Sequence, residues 1–342
     1  MKLADLHLAW PSAASRVLGG GPWARWLAPA APRAITAVMA GDPWLLARVE
    51  RGAAGRLRLA AVEAAGAQDL ARWPAQGHFR QALPLLVLRA ADRHLLSTDR
   101  PEVPDHELAM ALRWPLAEAL EVEPEQLLAT ALRLPSINEA ARPQVLGIGA
   151  RLATVRAQMA ALARAGVAVR SIDIEDSALR GLRALREPDA DGGVVLSMIG
   201  GNVAIGLIWK GEFCALRTLA LPVRAPRDSD EFEEHLALHI QRTVDLFERQ
   251  ARQLSIRQVV ASLPTLREQA LQTLQGALPM PTHRFELEQA FDLADGVEAL
   301  CHAHGDLVAL AAVAAARLLD RDAATQATMA AASPQRAAEV AA

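Results

Sequence analysis

"RPQVLGIGARLATVRAQMAALARAGVAVRSIDIEDSALRGL", residues 142–182, carries the alternation that decides the fold class. Its opening, 142–150, is a short apolar run bounded by Pro143 and reads as a strand. Leu152, Val155, Met159 and Leu162 then fall on one helical face, and Gly166 supplies a helix-ending position. "VAVRSIDI" (167–174) reads as another strand and "EDSALRGLRAL" (175–185) as another helix. Strand, helix, strand, helix in succession predicts an α/β protein.

On the C-terminal side, "REPDADGG" (186–193) is polar and acidic with a proline and two glycines, the best boundary in the chain. The pattern then restarts with strands at 194–199, 202–209 and 212–220. Asp228 with Glu231 resembles a capping box, and Phe232, Leu236, Ile240, Val244, Phe247 and Leu254 stripe the helix that follows. A strand at 256–264 and helices near 265–275 and 306–319 close this half, and 321–342 reads as a frayed or weakly helical, Ala-rich tail.

On the N-terminal side, 3–10, 33–40 and 55–64 read as strands of one sheet, with 83–90 and 92–99 as two more. Asp105 caps a helix whose Leu108, Leu112, Leu116 and Leu120 lie four apart, and Pro115 should kink or divide it. A strand at 126–134 follows. The chain thus divides into a first lobe of 1–91 and 143–186, an inserted α+β subdomain of 92–142, a second lobe of 187–320 and the tail.

Composition narrows the function. Hydrophobic residues make up 52% of the 342, enough for a large core, and a net charge of −3 gives no reason to expect nucleic acid. Cys214 and Cys301 are the only cysteines, which fits a reducing compartment. The N-terminus does not read as a signal peptide, and the longest apolar run, 307–319, is short for a bilayer and contains Arg317. The expectation is a soluble cytoplasmic protein.

"SIDIEDSALRGL" (171–182), with the strand and amphipathic helix before it, resembles the PilM family of type IV pilus assembly proteins, and within it the MSHA-pilus biogenesis branch (MshI). The similarity runs over roughly 83–320. It implies an actin-like (ribonuclease H-like) fold of two lobes, with nucleotide between them in active relatives. It further implies a cytoplasmic adaptor, peripheral to the inner membrane, that binds the cytoplasmic tail of a bitopic PilN-like protein and couples it to the pilus motor ATPase. The rivals are a true ATP-binding actin-like ATPase and a type II secretion platform component.

Active actin-like proteins place a carboxylate and glycine-rich turns around nucleotide and metal. The first-lobe turn is expected at "LAWPSAAS" (8–15), where Asp5 precedes it and Pro11 removes an amide donor. In the second lobe Gly200, Gly201 and Asn202 keep the outline of a phosphate turn, but Met198 stands where a carboxylate is needed. Ser262-Leu263-Pro264 replaces the glycine pair beside the adenosine. The implied site is vestigial, with no catalytic residue, no metal ligand and no expected ATP or Mg²⁺. An ordinary hairpin turn accounts for the same glycines.

Other residues carry weaker signals. His235 and His239, four apart, and "CHAH" (301–304) with Asp306 have metal-ligand types but lack the remaining ligands. Trp23 and Trp26 either pack the core or contact a partner. Arg113 and Trp114 are partner-binding candidates, an aromatic anchor beside a fork of donors, expected at the groove between insert and first lobe.

Overall fold

The computed structural model describes residues 32–52, 55–135, 142–186, 192–199, 202–219, 229–250, 256–262 and 268–340. The expected strand at 3–10, Trp23, Trp26, Gly200 and Gly201 lie outside them.

The first sheet is a meander of β1 (Ala34–Met39), β2 (Trp44–Arg51) and β3 (Leu57–Ala65), with β4 (Ala82–Leu88) added on the other side of β1. β1 pairs antiparallel with β2 and parallel with β4. An insert supplies β5 (His94–Asp99), helices α1 (Leu108–Ala111) and α2 (Arg113–Leu120), β6 (Leu127–Arg133) and β7 (Gln144–Arg151). Helix α3 (Leu152–Arg164) leads back to β8 (Ser171–Ile174), which joins β4 in parallel. Helix α4 (Ala178–Arg186) then crosses to the second lobe.

There the plan repeats. β9 (Gly192–Ile199), β10 (Asn202–Trp209) and β11 (Glu212–Leu219) form a meander, helix α5 (Ser229–Gln250) follows, and β12 (Val259–Ser262) pairs in parallel with β9. Helix α6 (Glu268–Ala277) leads to β13 (Thr282–Arg284). β14 (Asp292–Leu293) returns to the edge of the first sheet, and helix α7 (Glu298–Val340) ends the described chain. Strand orders β3-β2-β1-β4-β8 and β11-β10-β9-β12-β13 are the same order twice, the ribonuclease H-like plan duplicated.

The strands β9, β10 and β11 fall within two residues of the sequence expectation, because turn residues bound each one, whereas β12 is shorter than the expected 256–264 and β13 was not anticipated. Lys210 (φ 48°) and Gly211 (φ 77°) both adopt the left-handed conformation that the β10–β11 hairpin demands. Leu236, Ile240, Val244 and Phe247 are buried along α5 as the stripe predicts. In the insert Leu108, Leu112 and Leu116 are buried on one face, and the helix is divided at Leu112, with Pro115 in the first turn of α2.

Three points of the sequence reading are corrected. β2 has no counterpart in the sequence reading, since Trp44, Leu45, Leu46 and Ala47 are all buried and a strand covered on both faces does not alternate. The parallel partner of β4 is Ala34–Met39, so the first-lobe turn lies at Ala40–Pro43, while the expected 8–15 lies outside the described residues. The strand expected in the first lobe at 142–150 instead pairs with β5 and β6 in a separate three-stranded sheet of order β5-β7-β6. The tail, read as frayed or weakly helical, continues α7 as helix to Val340, with non-helical backbone inside it at His304.

The two sheets share one core. From α7, Val308–Ala316 lie buried against Ile35, Ala47 and Leu59 of the first lobe, in the same cluster as Val195, Ala204 and Val260 of the second. Residues 298–320 of α7 are long and apolar enough to cross a membrane by composition, but half of that stretch is buried in the protein. Helix α4 crosses α7 at Gly181, where an added Cβ would collide with Val313 and Arg317. Gly181→Val should therefore lower stability by about 1–3 kcal/mol, read as an earlier denaturant midpoint. An unchanged midpoint would show that the crossing has room to spare.

Candidate functional site

Two regions meet at β8. The first is the crevice beyond the carboxyl ends of β1, β4 and β8, the usual ligand position in α/β sheets. Here the β1–β2 turn contains Gly41, and a Cβ at that position would collide with the guanidinium of Arg89, the residue that follows β4. Arg93 forks onto Asp176, with Nε donating to Oδ2 at 2.7 Å and Nη2 to Oδ1 at 2.5 Å. The Ala90 amide donates to Glu175 Oε1.

Glu175 and Asp176 are each only 1% exposed, because β8 ends in a tight turn (Glu175–Ser177) that tucks both carboxylates under the strand ends. Ser177 Oγ secures that turn by donating to the Ile174 carbonyl at 3.0 Å, and Arg317 of α7 donates to the Ser177 carbonyl. Glu175 Oε2 is buried without a partner. Burial, and then the neighbouring Asp176, pushes the Glu175 carboxyl up from 4.5 to about 7. Burial likewise raises Asp176, against the pull of Arg93.

The second lobe faces this crevice with the end of β9. Ser197 pairs in register with Ser262 of β12, and both are buried. Met198 is half-buried against Val203, and Asn202 opens β10. The fold implies a nucleotide with a hydrated divalent ion between the lobes. The described residues do not fit one: Asp176 is engaged by Arg93, Glu175 is buried with its carboxyl raised, and a thioether stands at 198.

The second region is a groove between the edge of the first sheet and the insert. A hollow of about 320 Å³ is walled by Leu85, Leu132, Ile148, Phe213 and Leu216, with Asp173, Arg180, Glu212 and Arg317 supplying charge. It shares Ile148, Ile172, Asp173 and Ile174 with a smaller hollow bounded by Leu88, Leu128 and Ala150. Consecutive residues, 171–174 of β8 and 128–130 of β6, line these hollows. Side chains alternate across a strand, so the consecutive lining from β8 means that its edge turns toward the groove, whereas the insert sheet turns a face to it: Leu128, Thr130 and Leu132 of β6 pair in register with Ala150, Ile148 and Leu146 of β7. β8 ends its sheet, so it has an edge that pairs with no strand among the described residues. Arg180 closes one end by donating to Glu212 Oε1 at 2.7 Å and to the Gly211 carbonyl at 2.8 Å.

Trp114 and Arg113 lie elsewhere. Trp114 is 70% exposed on the outer side of the insert and lines neither hollow, while Arg113 is half-buried with its Nε unpartnered. His235 and His239 approach at Nε2–Nε2 3.2 Å on α5, and no group of three or more metal-ligating side chains occurs among the described residues. The sequence reading missed Arg89, Arg93, Glu175 and Asp176. Three carboxylates within 173–176, immediately after an apolar strand, were the signal available.

No protein-family model matches the chain, and no curated protein matches it. Among solved structures it is similar to the PilM-PilN type IV pilus biogenesis complex, at 19% identity and TM-score 0.60, covering 83% of this chain and 98% of that one. The cytoplasmic domain of EpsL, an inner membrane component of the type II secretion system of Vibrio cholerae, aligns at 13% identity and TM-score 0.46, covering 85% and 95%. A Bacteroides thetaiotaomicron protein with an actin-like ATPase fold aligns at 7% identity and TM-score 0.46, covering 80% and 96%. The duplicated sheet order and the first of these likenesses agree: the chain has the actin-like α/β fold.

The raised Glu175 carboxyl has a measurable signature. The folded protein holds this proton more tightly than the unfolded chain, so the stability it contributes is full below about pH 4.5 and lost as pH rises to about 7. Glu175→Gln should abolish that fall and leave the variant more stable at about pH 8 by on the order of 1–3 kcal/mol. Asp306, also raised to about 7 by burial, titrates in both proteins and drops out of the difference. Urea midpoints at acid and alkaline pH give the comparison; parallel pH profiles for the two proteins would contradict it.

Proposed function

We propose that the protein is a non-catalytic adaptor of a type IV pilus assembly platform, of the MSHA type, and that it binds the cytoplasmic tail of a bitopic, PilN-like inner-membrane protein. On this reading it is cytoplasmic, held at the inner membrane through its partner, and passes contact on to the pilus motor ATPase. The observation that carries the reading is the groove at β8, where the unpaired edge of β8 borders a hollow walled on the other side by the apolar face of the insert sheet. Such an arrangement takes an extended peptide by strand addition: main-chain hydrogen bonds supply affinity and the hollows sort side chains. The similar solved structure is described as a PilM-PilN complex, which supports the choice of partner. The resemblance of 171–182 supports the MSHA assignment.

The Arg93–Asp176 pair and the thioether of Met198 support the adaptor over an ATPase. Titration calorimetry tests both halves. Tail peptides of bitopic pilus proteins should bind the full chain, and Ile172→Asp in the groove should weaken binding at least about tenfold, roughly 1.4 kcal/mol. ATP with Mg²⁺ should give no heat in the micromolar range. A clear ATP isotherm, or peptide binding indifferent to Ile172→Asp, would overturn the proposal.

A further inference from the structure

A second surface on the insert has the makings of a separate docking site. Along α1 and α2, Leu108, Leu112 and Leu116 face inward and are at most 3% exposed. Met110 and Trp114 stand two residues out of phase with them, about 200° around the helix, on the side that a surface helix ordinarily gives to polar groups. They are 68% and 70% exposed, two of the three large exposed hydrophobics among the described residues. Beside Trp114 lies an open hollow of about 450 Å³ whose floor is Pro115, Ala117 and Val122 and whose rim carries Glu118 and Glu123.

The charge around it is one-sided. Residues 105–125 include Asp105, Glu107, Glu118, Glu121, Glu123 and Glu125 against the single guanidinium of Arg113. Asp105 is engaged by Arg100 and Arg133, and the Arg151 guanidinium is tied to the Leu120 carbonyl at 2.6 Å. No ion pair engages Glu118, Glu121, Glu123 or Glu125 among the described residues. An indole and a thioether framed by unpaired carboxylates form an adaptable apolar anchor with a cation-attracting rim.

We propose that this outer face of the insert docks a basic amphipathic segment of a protein partner, seating an apolar side chain against Trp114 and Met110 and placing Lys or Arg over Glu118 and Glu123. The carboxylates set the occupant's chemistry. They repel an anionic lipid surface or a nucleic acid, and they repel the same acidic face of a second copy of this chain. The surface shares no lining residue with the β8 groove, so both can be filled at once.

The test uses the full chain and a fluorescein-labelled synthetic helix of Leu and Lys, roughly 18 residues long, with a Leu/Glu helix as its mirror. Anisotropy should show the Leu/Lys helix binding and weakening with salt. Trp114→Ser with Met110→Ser should cut its affinity at least about tenfold, and Glu118→Lys with Glu123→Lys should exchange preference to the Leu/Glu helix. Both pairs of substitutions are on the surface, and unchanged far-UV circular dichroism and urea midpoints verify their fold without reference to the groove. Three results would overturn the proposal. Equal binding of the Leu/Lys helix to the Trp114→Ser, Met110→Ser protein and to the wild type would make the attraction mere acidity. Binding of phosphatidylglycerol–phosphatidylcholine vesicles through Trp114 would make the occupant a membrane. A concentration-dependent dimer abolished by the Ser variant would make it a second copy. Peptide binding in the β8 groove is measured separately, so a failure there leaves this result standing.

Discussion

The crossing of α4 over α7 is the constraint on which the rest depends. Helix α4 leaves the first lobe directly after β8, and α7 threads back through the core that both sheets share. The two approach so closely that Gly181 has no room for a side chain against Val313 and Arg317. Arg317, whose stem packs over that glycine, donates to the Ser177 carbonyl and so holds the turn carrying Glu175 and Asp176. One close helix contact thus sets the distance between the lobes, buries nine consecutive residues of α7 and positions the strand-end carboxylates.

From that frame two regions diverge in chemistry though they share β8. At the carboxyl ends of the strands, part of the charge is engaged within the chain: Arg93 binds Asp176 and the Ala90 amide binds Glu175 Oε1, while Glu175 Oε2 is left buried without a partner. A site meant to receive a charged ligand ordinarily keeps such groups open toward it. Along the side of β8 the reverse holds, since an unpaired strand edge and the apolar face of the insert sheet border a hollow that another chain can complete. The same strand therefore closes one opportunity and offers another, which is the physical basis for preferring an adaptor.

Much of the fold was legible in the sequence, and the reasons are local. In the second lobe, hairpin glycines and clear strand lengths mark β9, β10 and β11, and the α5 stripe has a regular helical period. Where burial is two-sided the signal fades, as in β2, whose apolar run resembles any core segment. Pairing was beyond reach: nothing in "VLGIGA" tells that β7 joins the insert sheet rather than the lobe, because partner choice is a long-range property. The site was less legible. Glu175 and Asp176 sit in the very motif that betrayed the fold, yet their burial and their engagement by Arg93 depend on residues more than 80 positions away. Arg113 and Trp114 stood out correctly as unusual, but their face of the insert is set by tertiary packing, and it is not the groove.

Hydrogen exchange of the full chain with and without a bitopic pilus protein's tail peptide tests the central claim most directly. If the peptide adds as a strand, the amides of Ser171–Ile174 gain protection on binding, while those around Gly41 and Glu175 stay as they were. Protection confined to the crevice beyond β1 and β4, with the edge of β8 unaffected, would contradict the account.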